Sequence, residues 1–214
     1  MRQMKLFSVI VVFLFACCIC ATTLHASSLY PLEIFTHNGG YYNSPDLNIY
    51  VVVSNGDGVV DFTFYNESTI GSSVTGIYFD DGSLLDIAMI TNGPGTLFSQ
   101  PATPNDLPAG NLLDPPFVTT DEFCVDGDPP PSQNGVNPVE SGEPLEWVKI
   151  TFDLSSDGTL SDVLGELESG ILRIGAHVTA LPDGSSESAV AVPEPIVLFS
   201  LGVGTLILMR KRRT

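Results

Sequence analysis

Positive charge is almost absent from the middle of this chain. Of the eight lysines and arginines in its 214 residues, Arg2 and Lys5 lie near the start and Arg210, Lys211, Arg212 and Arg213 at the end, leaving only Lys149 and Arg173 between. All twenty-five Asp and Glu residues come after position 26. A segment with two cations among so many carboxylates is a polyanion, which nucleic acid and anionic lipid surfaces repel, so no nucleic-acid partner is expected. Such a surface stays soluble and gathers divalent cations loosely, and it needs no functional explanation of its own.

Cysteine is as scarce. Cys17, Cys18 and Cys20 sit inside the first apolar run, and Cys124 is the only other thiol. Once that run is removed, no intrachain disulfide is possible. Asp121, Glu122, Asp126 and Asp128 crowd Cys124 in sequence. Negative neighbours raise a thiol pKa and weaken it as a nucleophile, so Cys124 reads as incidental.

Catalytic and metal motifs are missing too. The chain has no HExxH, no paired-cysteine spacing and no G-x-S-x-G elbow. His37 and His177, the histidines beyond the leader, read as strand or turn residues. Asp153 to Gly158 starts like a calcium loop, but the twelfth position is Leu164 where a bidentate Glu is required. Asp126-Gly127-Asp128 and Asp80-Asp81 read as solvated turns, and Asn66-Glu67-Ser68 is only a formal glycosylation triplet. No catalytic residue, metal ligand or cofactor is expected, and the body is not expected to be an enzyme. Enzymatic chemistry would need a pocket holding two acids, or one acid with His37 or His177.

What the chain does possess is a marked pair of ends. Met1 to Lys5 is short and basic, Leu6 to Cys20 is almost unbroken hydrophobicity, and Thr22-Thr23-Leu24-His25-Ala26 comes next. That is the order of a secretory signal peptide over 1–26, with cleavage after Ala26 by signal peptidase once the chain is exported through the Sec translocon. Two other readings stay open: a lipoprotein signal at Cys17, preceded by Leu14-Phe15-Ala16, and a retained N-terminal anchor. All three export the body of the chain.

The last stretch, 192–214, reads VPEPIVLFSLGVGTLILMRKRRT. Val192-Pro193-Glu194-Pro195 cannot sit inside a helix, because proline lacks an amide proton and biases its predecessor toward extended backbone. From Ile196 to Met209 nothing is charged, and Ser200 and Thr205 are the only polar side chains. Fourteen helical residues span about 21 Å, short of the ~30 Å hydrocarbon core, and snorkelling arginines with local thinning make up the difference. A transmembrane helix over 196–209 is expected, with Arg210, Lys211, Arg212 and Arg213 as a cytoplasmic stop and everything before Ile196 outside.

These parts resemble the PEP-CTERM sorting signal, the tag read by exosortases: a Pro-Glu-Pro (Pro193-Glu194-Pro195), a short apolar helix and a basic terminus, in order. The resemblance covers about a tenth of the chain. It implies export in a Gram-negative, exopolysaccharide-producing bacterium. Anchoring in the inner membrane would come first, then processing near the motif by a membrane-embedded exosortase, with release or transfer to the cell surface.

Between the ends the apolar period is two. Leu47, Ile49, Val51 and Val53 alternate with polar or outward residues, as do Val60, Phe62 and Phe64; Val148, Ile150, Phe152 and Leu154; and Leu172, Ile174, Ala176 and Val178. Ile34–His37, Val74–Asp80 and Leu84–Ile90 supply further strands. Turns fall at Asn38-Gly39-Gly40, Asn55-Gly56-Asp57-Gly58, Asp81-Gly82 and Asn92-Gly93-Pro94. One segment switches period: Leu160, Val163, Leu164 and Leu167 share a helical face, with Thr159 and Asp162 placed to cap it and Gly170 to end it. The expected fold is all-β, an antiparallel two-sheet sandwich over 28–181 with one short helix.

Ten of the sixteen prolines fall between Gln100 and Pro144, a stretch expected to be a long loop covering a sheet edge or core mouth, held by Leu112, Leu113, Phe117 and Phe123. Residues 182–191 are small and polar and read as a flexible linker. The segments GELESGILRIGAHV and SSVTGIYFDDGSLL are similar to sandwich domains that accompany such tags, a group that carries no assigned chemistry. The expected role is thus an exported cell-surface or extracellular-matrix protein, its body structural or adhesive. The alternative is a calcium-assisted carbohydrate-binding module of the exopolysaccharide matrix.

Overall fold

A computed structural model describes residues 27–193, apart from 57, 81–83, 85, 140 and 156. The expected signal peptide 1–26, the turn residues Asp57, Asp81 and Gly82, and the expected tag from Glu194 onward lie outside the described residues.

The strands are β1 (Ser27–Ile34), β2 (Ile49–Asn55), β3 (Val59–Asn66), β4 (Ser73–Asp80), β5 (Ile87–Asn92), β6 (Phe98–Ser99), β7 (Cys124–Gly127), β8 (Trp147–Asp153), β9 (Arg173–Thr179) and β10 (Glu187–Ala191). A single helical turn, α1 (Pro131–Asn134), precedes β8, and helix α2 (Leu160–Ser169) joins β8 to β9. The ten strands hydrogen-bond in the order β5-β8-β3-β2-β1-β10-β9-β4-β7-β6, with antiparallel neighbours throughout.

β1 lies at the centre and changes partner along its length. Ser27 to Pro31 pair with β2, and Leu32 to Ile34 pair with β10. Pro31 sits at the handover, a place in a ladder where a residue with no amide proton is tolerated. The two halves that meet at β1 pack face to face. Phe62 of β3 and Phe152 of β8 come from one half and Phe79 of β4 from the other, with ring centroids 5.1 and 4.8 Å from Phe79. All three are fully buried, and edge-to-face rings add about 0.5–1.5 kcal/mol per pair beyond their area.

The period-two reading holds where burial alternates: in β3, Val60, Phe62, Phe64 and Asn66 are buried while Val59, Asp61, Thr63 and Tyr65 are half-exposed. α2 also forms as its sequence dictates. Thr159 and Asp162 make a reciprocal capping box, Leu160, Val163 and Leu167 are buried, and Gly170 closes the helix at φ 71°. Only glycine adopts that left-handed backbone without strain.

Several boundaries differ from expectation. Ile34–His37 is not a strand: β1 ends at Ile34, and Thr36 to Gly39 instead wrap a buried carboxylate. The strand expected from Leu84 begins at Ile87. Residues 182–191 are not a flexible linker, because Glu187–Ala191 form β10, buried between β1 and β9. The folded body therefore runs past 181. Leu112 is 69% exposed and does not hold its loop down.

That proline-rich stretch nevertheless covers the sheet. It contributes β7, which pairs with β4, and a second apolar cluster of Ala102, Leu107, Phe117 and Cys124 against Tyr78 on the outer face. Glycine makes the close approach possible: a Cβ on Gly175 would sit 2.6 Å from a Leu107 methyl. Arg173, one of the two body cations, clamps the loop. Its guanidinium pairs with Asp80, donates to Pro115 O (2.7 Å) and Pro116 O (2.5 Å), and lies 5.3 Å from the Phe117 ring centre. The other, Lys149, pairs with Asp61 at 3.1 Å.

Candidate functional site

Of the residues expected to form the sorting motif, Val192 and Pro193 are described. The Val192 amide donates to Pro31 O at 3.0 Å, so the last ladder bond of the body falls at the first residue of the motif. Glu194, Pro195, Arg210, Lys211, Arg212 and Arg213, and the cleavage residue Ala26, lie outside the described residues. Among the described residues no helix is long and apolar enough to cross a membrane.

The described body carries its own concentration of chemistry on the outer face of β4 and β9. Cross-strand pairing sets Gly76 opposite His177 on one side and opposite Asp126 on the other. Directly paired residues project from the same face, and two ladder spacings separate the flanking strands by about 10 Å. His177 and Asp126 thus flank a position with no side chain. The Tyr78 ring leans into that space, since a Cβ on Gly76 would lie 2.7 Å from the Tyr78 hydroxyl. The hydroxyl donates to Pro104 O at 3.3 Å. Pro104 and Thr103 of the loop and Pro131 and Ser132 of α1 complete an open cavity of about 470 Å³.

The electrostatics are set by burial. Burial alone pushes the His177 imidazole below its ordinary pKa, and no charged neighbour opposes this. Among the described residues neither ring nitrogen has a hydrogen-bond partner. Burial raises the Asp126 carboxyl, against a 2.9 Å hydrogen bond from the Thr103 amide, and the Asp128 charge raises it further. The Tyr78 phenol is raised by burial first, then by Cys124, Asp126 and Asp106. Cys124 is fully buried and its thiol is raised, chiefly by burial, with the nearby carboxylates secondary to it.

The cavity places an acid and His177 together, the minimum that acid–base chemistry would require, although the two do not hydrogen-bond to each other. Sequence reasoning had each residue but not the pairing, because only the register of three strands brings them side by side. Among the described residues no three His, Cys, Asp or Glu side chains gather as a metal-binding set. Asp80 is ion-paired with Arg173 and Asp128 accepts from the Ser99 hydroxyl, so both acids have structural partners. His37 packs against Tyr42 with centroids 4.2 Å apart and the rings tilted by 41°, and it does not line the cavity. Asn66 of the glycosylation triplet is fully buried, its amide donating to Val136 O at 3.0 Å.

Glu187 is the charged group that sequence reasoning missed. It is fully buried and accepts from the Thr36 hydroxyl (2.5 Å) and from the Asn38 (3.2 Å) and Gly39 (2.6 Å) amides. Thr36 in turn accepts from the Ser188 amide at 2.8 Å. A lone acid among serines and alanines looks solvated in a sequence; its partners lie about 150 residues away.

No family model matches the chain, and no solved structure matches it. Over 164 residues, 71% of this chain, it is 30% identical to "Uncharacterized protein 443R" of Invertebrate iridescent virus 6. The chain spans about 6% of the length of that curated relative.

Proposed function

We propose that this chain is an exported protein sorted and trimmed through a C-terminal PEP-CTERM tag. Its body, read as a two-sheet β-sandwich, serves a structural or adhesive role at the cell surface or in an extracellular matrix. The observation that carries the reading is the ordered tail: Pro193-Glu194-Pro195, the apolar run 196–209, then Arg210 to Arg213. The end of β10 supports it, because the ladder bond from the Val192 amide to Pro31 O falls at the first residue of the motif. In this reading the Sec translocon and signal peptidase act first, after Ala26. The helix 196–209 holds the chain in the inner membrane, and an exosortase acts on the motif. The acidic body, with both of its cations ion-paired, stays off anionic lipid while it waits.

Mass spectrometry of the chain from cells with and without the exosortase tests this. The expected product begins at Ser27 and has lost its basic terminus only when the enzyme is present. An intact Arg210–Thr214 end on material outside exosortase-positive cells overturns the reading.

A further inference from the structure

We infer that the outer-face cavity between His177 and Asp126 is a calcium-independent binding site for a neutral saccharide unit. The inference names a ligand class for the adhesive body proposed above, and it rests on that reading for its biological setting alone.

The row of paired residues decides the chemistry. Ser188, His177, Gly76, Asp126 and Ser99 pair in register across β10, β9, β4, β7 and β6; Ser188 is buried, and of this row His177 and Asp126 line the cavity, on either side of Gly76. The middle of the row lacks a side chain at Gly76 and is occupied by the hydroxyl end of Tyr78. No lysine or arginine lines the cavity, and both body cations are engaged elsewhere, so nothing there neutralises an anionic ligand.

The imidazole of His177 and the hydroxyls of Thr179 and Ser132 line it and donate and accept at once, while the Tyr78 hydroxyl, donating to Pro104 O, has its oxygen left to accept. A sugar hydroxyl has the same dual character, and a carboxylate such as Asp126 accepts from two of them. The ring faces of Pro104 and Pro131 offer apolar surface to the C–H faces of a pyranose. The half-buried imidazole of His177 makes no hydrogen bond to the described residues, so both of its nitrogens are open to a ligand hydroxyl in place of water. The volume, about 470 Å³, lies within the ~300–1,000 Å³ range of small-molecule sites.

The test uses the full-length chain in a phosphocholine detergent, which has no sugar headgroup, with ¹⁵N-labelled histidine and EDTA present. The three imidazoles are followed by NMR while glucose, galactose, mannose or N-acetylglucosamine is added. Glycerol serves as a featureless polyol and gluconate as an anion, and a neutral tetrasaccharide distinguishes a polymer segment from a free monosaccharide. At least one neutral sugar is expected to move the His177 nitrogens saturably while His37 stays still. Affinity, read by titration calorimetry because a substitution at 177 removes the NMR reporter, should fall tenfold or more in Asp126→Asn and in His177→Ala.

A His177 response no larger than that to glycerol for every sugar overturns the inference, as does binding of gluconate as tight as that of glucose. So does a response that appears only when calcium replaces EDTA. A chain that is trimmed normally but shows no sugar response refutes this inference and leaves the sorting proposal standing. One that binds sugar but is never trimmed does the reverse.

Discussion

Replacing Glu187 with glutamine tests whether β10 is an integral strand or a loosely attached tail. The carboxylate receives three hydrogen bonds, from Thr36 Oγ1 and Asn38 N on one oxygen and from Gly39 N on the other. An amide keeps the shape but turns one oxygen into a donor. If its nitrogen faces Gly39, one backbone N–H is orphaned. If it faces Asn38, the Asn38 N–H is orphaned instead, and the Thr36 hydroxyl loses the oxygen it donates to. Either orientation strands at least one partly buried donor, at about 1–2 kcal/mol, and removes charge assistance from the bonds that remain. The expected loss for Glu187→Gln is therefore roughly 2–3 kcal/mol. At ~2–4 °C per kcal/mol for a chain of this size, the midpoint should fall by about 4–12 °C. Glu187→Ala, which strands every donor, should cost roughly 3–5 kcal/mol. Urea and thermal unfolding of the purified chain measure both, and amide exchange at Asn38 and Gly39 should quicken first. A Glu187→Gln midpoint within about 1 °C of the parent would refute the reasoning.

Other expectations come from the same geometry. Arg173→Lys cannot reproduce the planar fork that reaches Asp80, Pro115 and Pro116 together, so limited proteolysis should cut the 100–119 segment faster, with a stability loss of about 1–2 kcal/mol for this half-exposed clamp. Gly175→Ala pushes its methyl into Leu107 and should loosen the same segment by about 1–3 kcal/mol. Cys124, buried and raised, should resist iodoacetamide in the native chain and react on unfolding, read at its own peptide by mass spectrometry. The folded state holds His177 below the 6.5 of an ordinary imidazole, so the unfolded chain takes up that proton first. Stability should drop as pH falls from about 7 toward 5, and His177→Gln should flatten that limb. Asp126, raised on folding, has the opposite sign and acts in the window above 3.8, so comparison with the variant isolates the histidine.

What could be read in advance was whatever repeats along the chain. Val60, Phe62 and Phe64 alternate strongly enough to announce β3, and Thr159, Asp162 and Gly170 mark both ends of α2 because caps are local chemistry. β7 and β10 are four and five residues long and built from Cys124-Val125-Asp126-Gly127 and Glu187-Ser188-Ala189-Val190-Ala191. Small side chains give such strands little hydrophobic amplitude. They form because neighbours on both sides supply ladders, which is a property of the assembled sheet. The cavity was illegible for the same reason, since the pairing of His177 with Gly76 and of Gly76 with Asp126 depends on three strands far apart in sequence. Glu187 was misread through composition, which cannot distinguish a solvated acid from one wrapped by amides.

The position of β10 has a mechanical consequence. It is clasped on one side by β1 and on the other by β9, and its final amide is tied to Pro31. Tension applied at Val192, with the body held from its far side, runs along the strand, so the rungs on both flanks resist together instead of unzipping singly. A domain hung from that point is fastened by its interior, and a pull there has to break into the centre of the sheet before the strand comes free.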